Sequence, residues 1–159
     1  MKNLTLTRID DRLIHGQVVA FWMKEYSIDK ILIIDDTLSK DMFMSRIYKA
    51  AAPAGVEVLL LDREEGLAFL KQEPTEKEGI FLIVKVPERI EELVNAGIEI
   101  PRVILGGMGA RNDRKTFNRN VSASKSEIEC FSRILAKGTH IVYQMIPSDK
   151  PIPIQNFIE

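Results

Sequence analysis

"IFLIVKV", residues 80 to 86, carries a single charge, Lys85, and lies between the polar stretch "KQEPTEKEG" (71–79) and Pro87. A strand with one wet face alternates apolar and polar side chains. This one does not, so both of its faces are covered, as in a parallel sheet packed with helices on either side. Working outward, comparable runs recur along the chain: "LTLTRI" (4–9), "KILIID" (30–35), "VEVLLLD" (56–62), "RVILGG" (102–107) and "HIVYQM" (140–145). Helical patterns separate them. Ile14, Val18, Phe21 and Trp22 fall at i, i+4, i+7 and i+8, one apolar stripe of a first helix. A second pattern follows Ser39, a third spans about 64–72, and a fourth opens at Pro87, where a proline suits the first turn. Ser124 and Glu127 have the spacing of a capping box and announce a fifth helix that turns Ile128, Phe131, Ile134 and Leu135 inward. The alternation predicts a single doubly wound α/β domain over residues 1–159, with a mainly parallel central sheet flanked by helices. In such sheets ligands bind outside the carboxyl ends of the strands. The 71–79 stretch reads as a polar surface loop.

The bulk properties narrow the function. The chain has 159 residues, 45% of them hydrophobic and 28% charged, enough for one well-buried core. A formal net charge of −1 argues against nucleic acid or an anionic membrane as partner and leaves a protein or a small molecule. Cys130 is the only cysteine, so there is no disulfide framework and no cysteine zinc site, and a reducing, cytoplasmic setting is expected. No apolar run approaches the roughly 18 residues of a membrane span, and "MKNLTLTRIDD" lacks the apolar segment of a signal peptide.

"RIDDRLIHGQVV" (8–19) stands at one of the expected carboxyl ends, between the first strand and the Ile14 stripe. His15 is therefore placed close to a helix start, where free backbone N–H groups and the dipole attract anions, and Arg8 and Arg12 add fixed positive charge. The same field disfavours an imidazolium and favours a neutral, nucleophilic ring. Asp10 or Asp11 can take a proton from one ring nitrogen and orient the other. The plain alternative is a surface loop whose arginines and aspartates pair with one another beside a half-buried histidine.

"RIDDRLIHGQV", followed by "AFW" and later by "VILGGMGAR", resembles the IIB component of the mannose/fructose/sorbose class of the bacterial sugar phosphotransferase system. The likeness runs over essentially the whole chain. It implies that His15 accepts a phosphoryl group, on Nδ1, from a phosphohistidine of the IIA component and passes it to a sugar held by the IIC and IID membrane components. It also implies peripheral association with that membrane complex and leaves a homodimer open. On that reading Arg12 and Arg8 stabilise the charge on the equatorial oxygens of an in-line transfer, helped by backbone N–H groups at Gly16 and Gln17. No metal or cofactor is called for. The runner-up is a non-catalytic module that senses phosphate with the same loop.

"GGMGARNDRK" (106–115) follows the fifth strand at the same edge, and its glycines let the backbone approach an anion, so Gly107, Met108 and Gly109 are expected to wall the phosphate site opposite His15. The spacing does not fit a dinucleotide fingerprint. Arg111, Arg114 and Lys115 are candidates for a partner surface. Asp35, Asp36, Asp62 and Lys85 are reminiscent of aspartyl-phosphate receivers, but stand in the wrong order along the strands, so helix caps and loop acids are the better reading. His140 reads as a packed or edge histidine and Cys130 as core. Phe21 and Trp22 read as core stripe, with an exposed Trp22 the variant that would anchor a partner.

Overall fold

A computed structural model describes residues 1–158. In chain order the elements are β1 (Leu6–Asp10), α1 (Val18–Glu25), β2 (Lys30–Ile34), a 3-10 turn (Leu38–Lys40), α2 (Met42–Ala51), β3 (Glu57–Leu61), α3 (Arg63–Lys71), β4 (Ile80–Val84) and α4 (Pro87–Asn95). There follow β5 (Arg102–Gly107), β6 (Lys115–Thr116), β7 (Ser122–Ala123), α5 (Lys125–Ala136), β8 (His140–Tyr143), β9 (Ile152–Pro153) and α6 (Gln155–Ile158). Seven strands form one sheet in the order β3-β2-β4-β1-β5-β8-β9, parallel throughout except for the β8–β9 pair.

Side-chain alternation within the apolar runs explains the two layers. Ile31, Ile33, Phe81 and Ile83 face one core with Val19 and Trp22 of α1 and Leu38 before α2. Leu32, Ile34, Leu82 and Val84 face the other, with Leu70 of α3, Ile90 and Leu93 of α4, and Phe131 and Ile134 of α5. Each fully buried branched aliphatic contributes roughly 1.5–3 kcal/mol, so a strand apolar on both faces is stable only in the middle of such a sandwich. Helix starts follow local chemistry. The Asp62 and Ser124 side chains accept from the N3 amides of Glu65 and Glu127 in reciprocal capping boxes, Asp41 caps α2, and Pro87 opens α4.

Two expectations need correction. The helix after β1 starts at Val18, not at Ile14, because Leu13 (φ 59°) and Gly16 (φ 49°) hold left-handed backbone that a helix cannot contain. Ile14 is buried in the loop, the stripe is carried by Val19 and Trp22, and Phe21 is exposed. The pattern after Ser39 is α2, preceded by a 3-10 turn over Leu38–Lys40. The 71–79 stretch is more than a polar surface: Glu78 turns inward and pairs with Lys2 (2.7 Å) and Lys30. Burial pushes the Glu78 carboxyl up, but hydrogen bonds from Lys2, Lys30 and Thr75 outweigh it and hold the group down at about 2. The β6–β7 arm, β9 and α6 are additions to the expected layout. Among the described residues no helix is long and apolar enough to cross a membrane.

Candidate active site

β1 stops at Asp10, where the chain reverses: the Leu13 N–H donates to the Asp10 carbonyl at 3.0 Å, and the Leu13 side chain plugs into the α1-side core. That reversal folds Arg12 back over the carboxylate it has just passed. Arg12 donates its backbone N–H (3.1 Å) and Nε (3.0 Å) to Asp10 Oδ1, and Nη2 (3.1 Å) to Oδ2. His15 Nε2 lies 3.1 Å from the same Oδ2, and Arg8 Nη2 donates to it from below at 3.3 Å. Burial pushes the Asp10 carboxyl up, but the Arg12 hydrogen bonds and the Arg8 charge outweigh it and hold the group below the ordinary carboxylate range. An ionised carboxylate only accepts hydrogen bonds, so Nε2 is the protonated nitrogen of a neutral His15 ring and Nδ1 keeps its lone pair.

The two arginines differ in kind. Arg8 is 1% exposed, wedged between the Trp22 ring, the Gln144 carbonyl (3.0 Å) and a bare glycine. The β1–β5 register slips between Ile9 and Asp10, leaving Gly106 over Arg8, where a Cβ would stand 2.0 Å from Nη2. Arg8 thus cannot reach a phosphoryl group from its buried position, against the expectation, and instead holds Asp10. Its charge is kept despite a pKa lowered by burial, since guanidinium titrates far above neutrality. Arg12 is 44% exposed in its side chain, and its Nη1 has no partner among the described residues. It lies over Gly107, whose missing Cβ would come within 2.9 Å of Nη2.

A model of the family described as the PTS system sorbose subfamily IIB component matches residues 4–159. The chain belongs to this family. It is thus grouped with the IIB components of the sugar phosphotransferase system. It is similar to the sorbose-specific EIIB component of Lacticaseibacillus casei, 30% identical over 92% of this chain and 89% of that one. It is equally similar, at 30% identity over 96% of this chain, to the mannose-specific EIIAB component of Escherichia coli (strain K12), and it spans about half the length of that relative (47%). Among solved structures, the IIBSor domain of the sorbose permease from Klebsiella pneumoniae superposes with a TM-score of 0.93 at 29% identity, covering 98% of this chain and 96% of that one.

In this IIB component the glycine-rich segment after β5 lies against Arg12, with two of its amides already engaged. The Met108 N–H is spent on the Asn120 carbonyl (2.9 Å) of the β6–β7 arm, and the Gly109 N–H on Asp11 Oδ2 (2.6 Å). Met108 and Gly109 therefore have no free donor for phosphate, and Gly107 serves by making room. Gly16 and Gln17 are exposed, and among the described residues nothing accepts from their N–H groups. Gln17 is the N-cap of α1 with no side-chain cap. Of the other candidates, Arg114 is buried against Glu127, Arg111 is half exposed between Asp113 and Glu127, and Lys115 is exposed. Asp35 accepts from the amides of Thr37 and Leu38, Asp36 pairs with Arg63, and Asp62 caps α3, so the receiver-like acids are loop and cap residues. His140 is exposed at the start of β8, and Cys130 is buried. Trp22 is buried and donates Nε1 to the Met145 carbonyl (2.9 Å), so it braces the site and anchors no partner. Met145 is the residue that reading by motif passes over: its sulfur lies 3.5 Å from Arg8 Nη2 and 3.9 Å from Arg12 Nη2. The available signal was position, since 144–145 follow β8 at the same carboxyl edge.

Proposed function

We propose that His15 is the phosphoryl carrier of this IIB component, loaded by a phosphorylated IIA component and discharged to a sugar held by IIC and IID at the cytoplasmic face of the membrane. The observation that carries the reading is the Asp10–Nε2 contact, which leaves Nδ1 as the nucleophile. In the loading step the Nδ1 lone pair forms a bond to phosphorus, the donor's N–P bond breaks, and its electron pair returns to the donor histidine. The Nε2 proton stays on the ring, shared with Asp10, so the carboxylate balances the positive charge that forms on the imidazole. In the discharge step a sugar hydroxyl attacks phosphorus, the His15 N–P bond breaks, and the hydroxyl proton leaves to a base. On this reading Arg12 Nη1 and the amides of Gly16 and Gln17, exposed and without an acceptor among the described residues, donate to the equatorial oxygens.

The test is incubation with phospho-IIA followed by phosphopeptide mapping. One phosphoryl group on His15, stable in alkali and lost in acid, is the expected result. A hydroxylamine-labile phosphate that persists in His15→Ala refutes it and moves the site to Asp35 and Asp36.

A further inference from the structure

The loop after β5 and the turn after β1 are the two walls of the His15 site, and one buried side chain ties them together. Arg114 is 2% exposed in its side chain and presents its fork to Glu127, with Nε and Nη2 each 2.8 Å from a carboxylate oxygen. Glu127 is buried too and completes the α5 capping box by accepting from the Ser124 N–H at 2.9 Å. Burial pushes the Glu127 carboxyl up, but the Arg114 and Ser124 hydrogen bonds hold it below its ordinary range. Neutralising Glu127 requires only that fork. The third arm, Nη1, reaches the other way: it donates to the Gly109 carbonyl at 2.8 Å and stands 3.7 Å from Asp11 Oδ2.

Asp11 is stitched to the same loop at both of its ends. Its N–H donates to the Gly107 carbonyl at 3.1 Å, and its Oδ2 accepts from the Gly109 N–H at 2.6 Å. The next residue is Arg12, which lies across Gly107 to reach Asp10. A shift of the 107–109 segment therefore moves Arg12 relative to the carboxylate that orients His15. We propose that Arg114 is a positioning residue for phosphoryl transfer, acting through Asp11 to hold the Arg12 guanidinium over Asp10. The proposal rests on the carrier reading of His15. Small displacements matter here because an in-line transfer requires the donor groups in place before the oxygens arrive, and a misplacement of about 1 Å costs up to about a hundredfold in rate.

Arg114→Lys keeps the charge but cannot span Glu127 and Gly109 together. Asp11→Asn keeps an acceptor for the Gly109 amide but loses the charge facing Arg114. In each variant the saturating rate of phosphoryl uptake from phospho-IIA is expected to fall about tenfold or more, with the half-saturating IIA concentration within about twofold of wild type. The double variant is expected to be no slower than the slower single one, because both act along one path. Nitrogen-15 NMR of the unphosphorylated chain reads the geometry without activity: the Gly109 amide proton moves upfield and the Arg12 Nε–H signal broadens. A residue that merely stabilises the fold lowers the melting temperature and moves neither the saturating rate nor the Arg12 signal. Asp11→Asn with wild-type rate and wild-type Arg12 and Gly109 signals overturns the proposal, and decides alone if Arg114→Lys does not fold. A wild-type chain that takes no phosphate on His15 overturns the carrier reading instead, and the NMR signals then judge the positioning of Arg12.

Discussion

Gly106→Ala tests the buried half of the site. A methyl group at this position would lie 2.0 Å from Arg8 Nη2 and 2.2 Å from Cζ, more than 1 Å inside ordinary contact. The guanidinium has nowhere to retreat. It is bound to the Gln144 carbonyl at 3.0 Å and to Asp10 at 3.3 Å, it faces the Trp22 ring at 5.8 Å, and its side chain is 1% exposed. If the backbone yields, overpacking costs about 1–3 kcal/mol. If Arg8 yields, the buried Asp10 loses one of its two arginines, and breaking such a pair costs about 3–5 kcal/mol. Because both responses act on the same crowded layer, the expected loss is about 3 kcal/mol, or a fall in melting temperature of about 10 °C for a domain of this size. The assay is urea and thermal denaturation of wild type, Gly106→Ala, Arg8→Leu and the double variant. Leucine ends short of the guanidinium's position, so the double variant is expected to be no less stable than Arg8→Leu alone, a coupling of about 2 kcal/mol or more. A Gly106→Ala cost below about 1 kcal/mol, or single costs that add within about 0.5 kcal/mol, refutes the claim that the bare glycine exists to admit Arg8.

Three further outcomes follow from the same geometry. Arg12→Ala is expected to slow phosphoryl transfer about a hundredfold, the effect of losing one preorganised donor to transition-state charge, with Arg12→Lys recovering only part because an ammonium has no fork; rapid-quench kinetics with phospho-IIA checks this, and a change confined to the half-saturating IIA concentration makes Arg12 a docking residue. Glu78 titrates at about 2 in the folded chain against an ordinary 4.5, so the stability it contributes is fully present above pH 4.5 and is lost as pH falls from there toward 2. In Glu78→Gln that part of the acid-unfolding curve is expected to flatten, and an unchanged pH dependence of the urea midpoint counts against the Lys2–Glu78–Lys30 clamp. Burial, with Glu91 beside it, pushes the Cys130 thiol up to about 12, so at pH 8 iodoacetamide is expected to label the native chain far more slowly than the urea-unfolded one. Equal labelling rates contradict a buried Cys130.

Burial on both faces made the sheet legible in the sequence, because strands covered on both sides cannot hide their composition, and all six long strands stand where the apolar runs are. The Ser124–Glu127 capping box was legible for the same local reason. What the runs do not carry is the short β6–β7 arm and β9, whose paired segments are too brief to show a period. At the site, the cluster of Arg8, Asp10, Arg12 and His15 was legible as charge at a strand end, but its depth was not. Arg8 and Asp10 are two apart and share a face of β1, yet only the Gly106 vacancy, set by a register slip with a distant strand, decides that this face is sealed. The left-handed turn at Leu13 was equally hidden, since leucine rarely adopts it and nothing in the spelling marks it. Arg111 and Arg114 look alike in sequence and both reach Glu127, far along the chain, yet only Arg114 is drawn inward, by a two-armed contact.

The position of β1 within the sheet bears on how the protein is switched. It is the fourth of seven strands, with three on either side. Local opening events begin where the fewest neighbours hold a segment, so fraying is expected to start at β3 and β9, and amides in β1 are expected to exchange only when the whole molecule opens. The histidine loop hangs from the strand that lets go last. Fraying at the two sheet edges therefore leaves the anchor of the histidine loop in place, and β1 itself is lost only with the fold. On the carrier reading proposed for His15, control of this domain falls to which proteins are docked on it and to whether a phosphoryl group is already there.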